Sequence, residues 1–337
     1  MDLSHLQGLM RGGSVDAWLV HDFRNANPTL ARLLPPPGPG GKRHLTRRAM
    51  LLIPARGEAR LLCHSIDRSQ FEGARLRGGE APAIDTYLGW PELHTWLGKR
   101  IGELGGARVA MEYSPGGALP VVGVVDAGTV ELVRSLGAEV VSSADLIQQA
   151  VAVWNATALE SHRWASVEVA RVKDEAFGLI RDRLSAGRDV SEWDVCRFVR
   201  ERFAAAGMEW PDGPIVAVNA HGADPHFETT QACTAPIRVG DFVLLDLWAR
   251  RPGDEHIYSD ITWVAFAGAG KARPQERHRK VFAAVRAARD AAVALARRRH
   301  EAGEAAQGWE LDAAARAEIA RAGYGALIRH RTGHSLS

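Results

Sequence analysis

Residues 241–268 read DFVLLDLWARRPGDEHIYSDITWVAFAG. Two apolar, β-branched and aromatic runs, DFVLLDLWAR (241–250) and IYSDITWVAFAG (257–268), flank the charged, turn-forming RRPGDEH. That pattern predicts two antiparallel strands joined by a hairpin. Each run carries a carboxylate in its middle, Asp246 and Asp260. A carboxylate inside an apolar strand is costly unless it is paired or bound to a cation. Gly253 lies midway between the two, so a hairpin folded about it sets them face to face, with Cβ atoms about 5 Å apart. Two carboxylates that close share a proton or chelate cations, and a site holding two ions about 3.5–4 Å apart is one use of such a pair. The spacing alone equally allows one aspartate to be a solvated strand-end residue, or a bulge to spoil the register.

Upstream of the hairpin, PIVAVNA (214–220) reads as a further strand, and residues 156–206 read as two helices broken at Ala186-Gly187. Ser191 followed by Asp194 forms a capping box for the second helix. Downstream, helices are expected at 274–301 and 309–322. The two helical regions repeat each other. Ala186-Gly187, Trp193 and Gly207 recur 116 residues later as Ala302-Gly303, Trp309 and Gly323. The repeat predicts two similar halves, each helix–helix–strands, related by a pseudo-two-fold axis.

The first 150 residues alternate strand-like runs (15–20, 49–54, 59–64, 107–112, 138–143) with helical spacing at 90–104 and 127–137. That alternation predicts an α/β domain, a sheet covered by helices. The expected division is an amino-terminal domain over 1–153 and a second domain over 154–337. LLPPPGPGGKRH (33–44) is a Pro/Gly loop. Its GGK lacks the following Ser or Thr and the first glycine of a phosphate-binding loop, so no nucleotide site is read there.

Composition narrows the class. Hydrophobic residues make up 46% and charged residues 24% of the 337, as in globular proteins. Lys+Arg at 42 against Asp+Glu at 40 leaves a net charge of +2, which argues against a nucleic-acid partner. Three widely spaced cysteines, Cys63, Cys196 and Cys233, make neither a disulfide framework nor a zinc site. No apolar run is long enough for a membrane span, and the amino terminus has no signal-peptide core, so a reduced, cytoplasmic location is expected. Most of the 13 histidines, including His5, His44, His162, His278 and His300, read as surface residues. His226, in ADPHFET after a strand, and His330 and His334, in RHRTGHS, are different. Thr332 and Gly333 break a helix, so this last stretch is expected to be a strand rising into a site. Imidazole with a buried aspartate pair is a recurrent ligand set for manganese, zinc or cobalt.

Taken together, DFVLLDLWAR, YSDITWVAF, NAHGADPHFE and HRTGHS resemble the pita-bread metallopeptidases: aminopeptidase P, prolidase and methionine aminopeptidase, with creatinase as a non-metal relative. VDAWLVHDFRNANP and RVAMEYSPGGALPVVGVVDAGTVELVRSLGAEVVSSADL are similar to the amino-terminal domain of the aminopeptidase P and creatinase branch. The resemblance implies a creatinase-like α/β domain, a mixed sheet with helices, followed by an α+β pita-bread domain with an incomplete second half. It implies Asp246, Asp260 and His334 as metal ligands, His226 as the histidine that contacts substrate or the developing oxyanion, and His330 as a candidate neighbour of the ligands. The expected cofactors are two divalent ions, manganese first, with zinc or cobalt as substitutes. The expected partners are a peptide substrate and a second copy in a homodimer, with no nucleic acid and no membrane. The implied activity is exopeptidase cleavage at Xaa-Pro bonds. The same resemblance calls for two glutamate ligands after His334, and none follows before Ser337. A truncated chain, inactive as it stands, is therefore expected. Two other readings remain at this stage: a non-catalytic peptide-binding protein, and a metal-independent hydrolase of a small amidino compound.

Overall fold

The computed structural model describes residues 2–36, 41–253, 255–270 and 272–336. The chain divides into two compact units, Met1–Asn155 and Ala156–Ser337. Part of the Pro/Gly loop, at 37–40, and one residue of the hairpin tip, at 254, lie outside the described residues.

The first unit runs α1 (Leu3–Gly12), β1 (Ala17–Phe23), α2 (Pro28–Leu33), β2 (Arg48–Pro54), β3 (Arg60–His64), β4 (Ala83–Tyr87), α3 (Trp90–Leu104), β5 (Arg108–Met111), α4 (Ala127–Ser135), β6 (Glu139–Ser142) and α5 (Ala144–Ala150). Its six strands form one mixed sheet in the order β4-β3-β2-β1-β5-β6. β1 pairs antiparallel with β2 and parallel with β5. Six consecutive residues of β1, from Ala17 to Asp22, are buried, as expected of a strand covered on both faces. Trp18, Val20, Leu51 and Leu61 pack with Leu6, Met10, Leu30 and Leu146 from α1, α2 and α5. Ala17, Leu19, Met50 and Val109 pack with Leu93, Leu97, Ile101 and Val133 from α3 and α4. Glu112, just past β5, is a buried carboxylate that accepts hydrogen bonds from Trp18 Nε1, Asn27 Nδ2 and Ser143 Oγ. It joins β1 to the caps of α2 and α5 in that core. Burial holds its carboxyl above the usual range, partly offset by those donors.

The second unit runs α6 (Ala156–Ser185), α7 (Glu192–Ala205), β7 (Ile215–Val218), β8 (Phe242–Ala249), β9 (Ser259–Phe266), α8 (Glu276–Glu301) and α9 (Gly308–Arg321). The three strands form an antiparallel sheet in the order β7-β8-β9. β8 alternates strictly. Val243, Leu245, Leu247 and Ala249 are buried against Ala165, Val169 and Val172 of α6 and Val195, Val199 and Phe203 of α7. Phe242, Leu244, Asp246 and Trp248 point to the opposite, partly exposed face.

The internal repeat reappears at the level of helix ends. α6 ends at Ser185 and α8 at Glu301; α7 spans 192–205 and α9 spans 308–321, each pair separated by the same 116 residues. Ser191 and Asp194 make a capping box on α7, and Gln307 and Glu310 make one on α9. Gly187 and Gly303, and likewise Gly207 and Gly323, take the left-handed backbone that stops the preceding helix.

Three expectations are corrected. The hairpin does not fold about Gly253: Asp246 is paired with Thr262 and Asp260 with Trp248, which moves its centre to 254. The two aspartates are therefore diagonal neighbours on one face rather than directly opposed. The shift is two residues along β9, so the shared face survives. The stretch holding His330 and His334 is not a strand, because among the described residues no strand edge pairs with it; it follows a short 3₁₀ turn at Gly325–Leu327 as irregular chain. His162 and His278 are not plain surface residues, since His162 Nδ1 bonds the Tyr258 carbonyl and the His278 ring packs on Phe242.

Candidate active site

The open face of the β7-β8-β9 sheet collects the candidate residues. Asp246 sits on the central strand and accepts a hydrogen bond from Thr262 Oγ1 at 2.9 Å. Thr262 is its cross-strand partner, so the register itself aims that hydroxyl. Asp260 lies one step along β9, and His334 Nε2 stands 3.4 Å from its Oδ2. Burial holds the Asp246 carboxyl above the usual aspartate range. The Thr262 hydrogen bond pulls it back, Asp260 pushes it further up, and His334 and His330 pull it down. Burial raises Asp260 as well, and His334 opposes that. Two carboxylates destabilised in their charged forms, with imidazole beside them, are an environment that a cation relieves.

The segment bearing the histidines is tied to α9. Asp312 Oδ1 accepts from the Thr332 backbone N–H at 2.8 Å and from Thr332 Oγ1 at 2.7 Å. Its Oδ2 accepts from Arg316 Nε at 2.6 Å, and Arg316 Nη2 donates to the His330 carbonyl at 3.1 Å. These donors hold the Asp312 carboxyl down at about 2. His334 is therefore placed through Thr332, two residues before it, by a carboxylate on α9. His330 stands near enough to Asp246 to act on its charge.

His226 occupies the exposed loop after β7, where its backbone N–H bonds Asp224 Oδ1. Among the described residues no hydrogen bond or ion pair joins its imidazole to Asp246, Asp260 or His334. The loop is anchored instead through its neighbours. Glu192, wholly buried at the start of α7, accepts from the Val218 N–H at 2.7 Å, from the Ala235 N–H at 2.6 Å and binds His221 Nδ1 at 2.8 Å. The His221 ring stacks on Phe227, with centroids 4.2 Å apart.

Thr262, Asp312 and Glu192 were not singled out from the sequence. Period-two reading could have found Thr262, which shares the face of Asp260 two residues on. Asp312 and Glu192 act over 20 and 43 residues of chain, to Thr332 and Ala235, and no local pattern announces such pairs.

Two carboxylates and an imidazole are the donor chemistry of a hard or borderline divalent cation. They fit such an ion in kind but not in number for two ions. Among the described residues no three His, Cys, Asp or Glu side chains converge closely enough to enclose one.

Residues 165–337 match the sequence pattern of metallopeptidase family M24, and the chain belongs to that family. A relative from Mycobacterium tuberculosis named as a probable dipeptidase, PepE, is 29% identical over 233 residues, covering 69% of this chain and 55% of the relative. The chain thus spans about half the length of that curated relative. Among solved structures, dipeptidase PepE from Mycobacterium ulcerans superposes with a TM-score of 0.66 at 20% identity, covering 98% of this chain and 79% of that one. The prolidase from Pyrococcus horikoshii gives a TM-score of 0.58 at 20% identity, covering 98% and 81%. The fold is that of the pita-bread peptidases, with the mixed-sheet unit preceding it in the chain. Among the described residues no helix is long and apolar enough to cross a membrane.

Proposed function

We propose that the open face of the second unit is the metal-binding part of a peptidase site acting at Xaa-Pro bonds, as a dipeptidase or aminopeptidase. One observation carries the reading: Asp246 and Asp260 share that face with His334 3.4 Å from Asp260, in a chain whose residues 165–337 match a metallopeptidase family. The relatives named dipeptidase and prolidase support the substrate class. Asp246, Asp260 and His334, which are not gathered around one point as they stand, are the side chains that would draw in around the cation, manganese first among candidates. Bound there, a divalent ion supplies a Lewis acid for the scissile carbonyl and for water. The chain's own residues do the rest. Thr262 orients Asp246 through its hydroxyl. Asp312 positions the His334 segment. His226, on a loop braced by Glu192 and Phe227, donates a hydrogen bond to the oxygen that gains charge.

Ligand count sets what these 337 residues do by themselves. They supply three of the five side chains that a two-ion site of this kind resembles, and no glutamate follows Glu318. Fewer anionic donors weaken cation binding and remove a general base. The chain alone is expected to hold one ion loosely and to leave an Xaa-Pro dipeptide intact with Mn²⁺ added. The same chain extended by a segment placing two glutamates at the site is expected to hold two ions and cleave it. Metal content by elemental analysis beside a hydrolysis assay tests this. Two tightly held ions and turnover by the 337 residues would place the ligands elsewhere.

A further inference from the structure

Trp248 stands on the same open face, two residues from Asp246 along β8 and directly across from Asp260 on β9. Two independent features fix its indole. Its Nε1–H donates to Asp212 Oδ1 at 2.9 Å. Its six-membered ring lies over Gly213, where an added Cβ would be 2.5 Å from Cζ2, too close for any side chain. Gly213 also has φ of +72°, a backbone that side chains rarely adopt. Continuing the pairing of Ile215 with Asp246, Gly213 is the residue opposite Trp248. The ring thus packs against the Gly213 backbone, on the side of β8 away from Asp260. Asp246 and Asp260 lie beside it on the same partly exposed face. The helix-facing core does not use this residue, since β8 buries its odd-numbered side chains there.

We propose that Trp248 is the specificity wall of the site: the prolyl ring of an Xaa-Pro peptide stacks on its outer indole face while the peptide carbonyl lies toward Asp246 and Asp260. This rests on the peptidase reading and names the feature that selects proline. A rigid, pre-placed aromatic plane favours a rigid ring that presents its C–H bonds flat, as aromatic-lined grooves do with proline-rich segments. A flexible or small side chain at the same position gains less. On the scale of an aromatic pair, taken as the upper bound for a saturated ring, such stacking contributes a preference of about 2- to 12-fold.

The test is equilibrium binding of Ala-Pro and Ala-Ala to the full 337-residue chain with Zn²⁺ present, read on the ¹⁵N-labelled indole N–H resonance of Trp248. That resonance is assigned by its loss in Trp248→Phe. In the unaltered protein, Ala-Pro is expected to shift it and to bind more tightly than Ala-Ala by the margin above. Trp248→Leu is expected to equalise the two peptides. Trp248→Phe, which keeps a ring, is expected to retain most of the preference. Gly213→Ala, which displaces the ring, is expected to reduce it. Binding of Ala-Pro that leaves the indole resonance unmoved, or a preference that persists in Trp248→Leu, overturns the proposal and leaves the peptidase reading standing. Binding of neither peptide by the unaltered protein overturns the specificity wall, while the peptidase reading stands or falls on the metal-content and hydrolysis measurements above. The resonance measurement needs no variant beyond its assignment, so a poorly folding substitution does not decide the result.

Discussion

At Asp246 and Asp260, fold and chemistry pull against each other. Strand alternation carries both side chains to one face, and burial raises both carboxyls above their ordinary values, with Asp260 adding to the rise at Asp246. A folded-state carboxyl pKa above the unfolded one means that the folded chain binds protons more readily. This contribution favours folding below the unfolded value and is lost as pH rises through the folded value. Without added cation, Asp246→Asn is therefore expected to raise the denaturation midpoint at pH 7 and to change it little at pH 3. Equal effects at both pH values would contradict the strain ascribed to this pair. Asp312 has the opposite sign. Its carboxyl is held down at about 2, so the tether to Thr332 is intact above the ordinary aspartate range and released as pH falls toward 2. Asp312→Ala is expected to speed hydrogen exchange of the Thr332 amide roughly tenfold at neutral pH, the loss of about one charge-assisted hydrogen bond. Unchanged exchange would mean that His334 is placed by something other than α9.

The elements divide by how locally they are determined. The helix expected at 90–104 is observed as Trp90–Leu104, because Pro91 suits its first turn and Gly105 stops it in left-handed backbone. α6 and α7 follow from a capping box and a glycine break within a few residues of one another. β4, the AIDTY strand, was not foreseen: it is only half-buried and owes its pairing to β3, about twenty residues away. The hairpin was legible as two strands and a turn, but its register was not, since the centre depends on tip geometry that alternation does not encode. Parity protected the inference about the site, because a two-residue offset returns Asp260 to the face of Asp246. His330 and His334 were legible as site residues and misread as strand, for want of an edge to pair with. Glu192 shows the limit most sharply, since its partners are gathered only when α7 meets the chain at 218–235. Glu192→Ala strands two backbone N–H groups and a histidine in or near the core. It is expected to cost about 3 kcal/mol, at 1–3 kcal/mol per buried unsatisfied group. Urea denaturation checks it, with a lowered midpoint and unchanged slope predicted.

Across the whole second unit, the repeat relates two helix pairs that are not equally covered. Ala165 and Val169 of α6 are 0% exposed beneath the sheet, whereas their counterparts on α8, Val281 and Val285, are 43% and 54% exposed. An apolar stripe so placed favours self-association. Val281→Ser with Val285→Ser is expected to lower light scattering of the concentrated protein with little change in thermal midpoint. A fall of several degrees would show that the stripe is packed in solution. Three candidate donors lie on or near the β8–β9 face. The most direct measurement of the central claim is a Mn²⁺ titration of the 337-residue chain beside its Asp260→Asn and His334→Ala variants. The account predicts one loosely held ion per chain, with affinity falling at least about tenfold in each variant as an anionic or imidazole donor is removed. Affinity unchanged in both variants would contradict it.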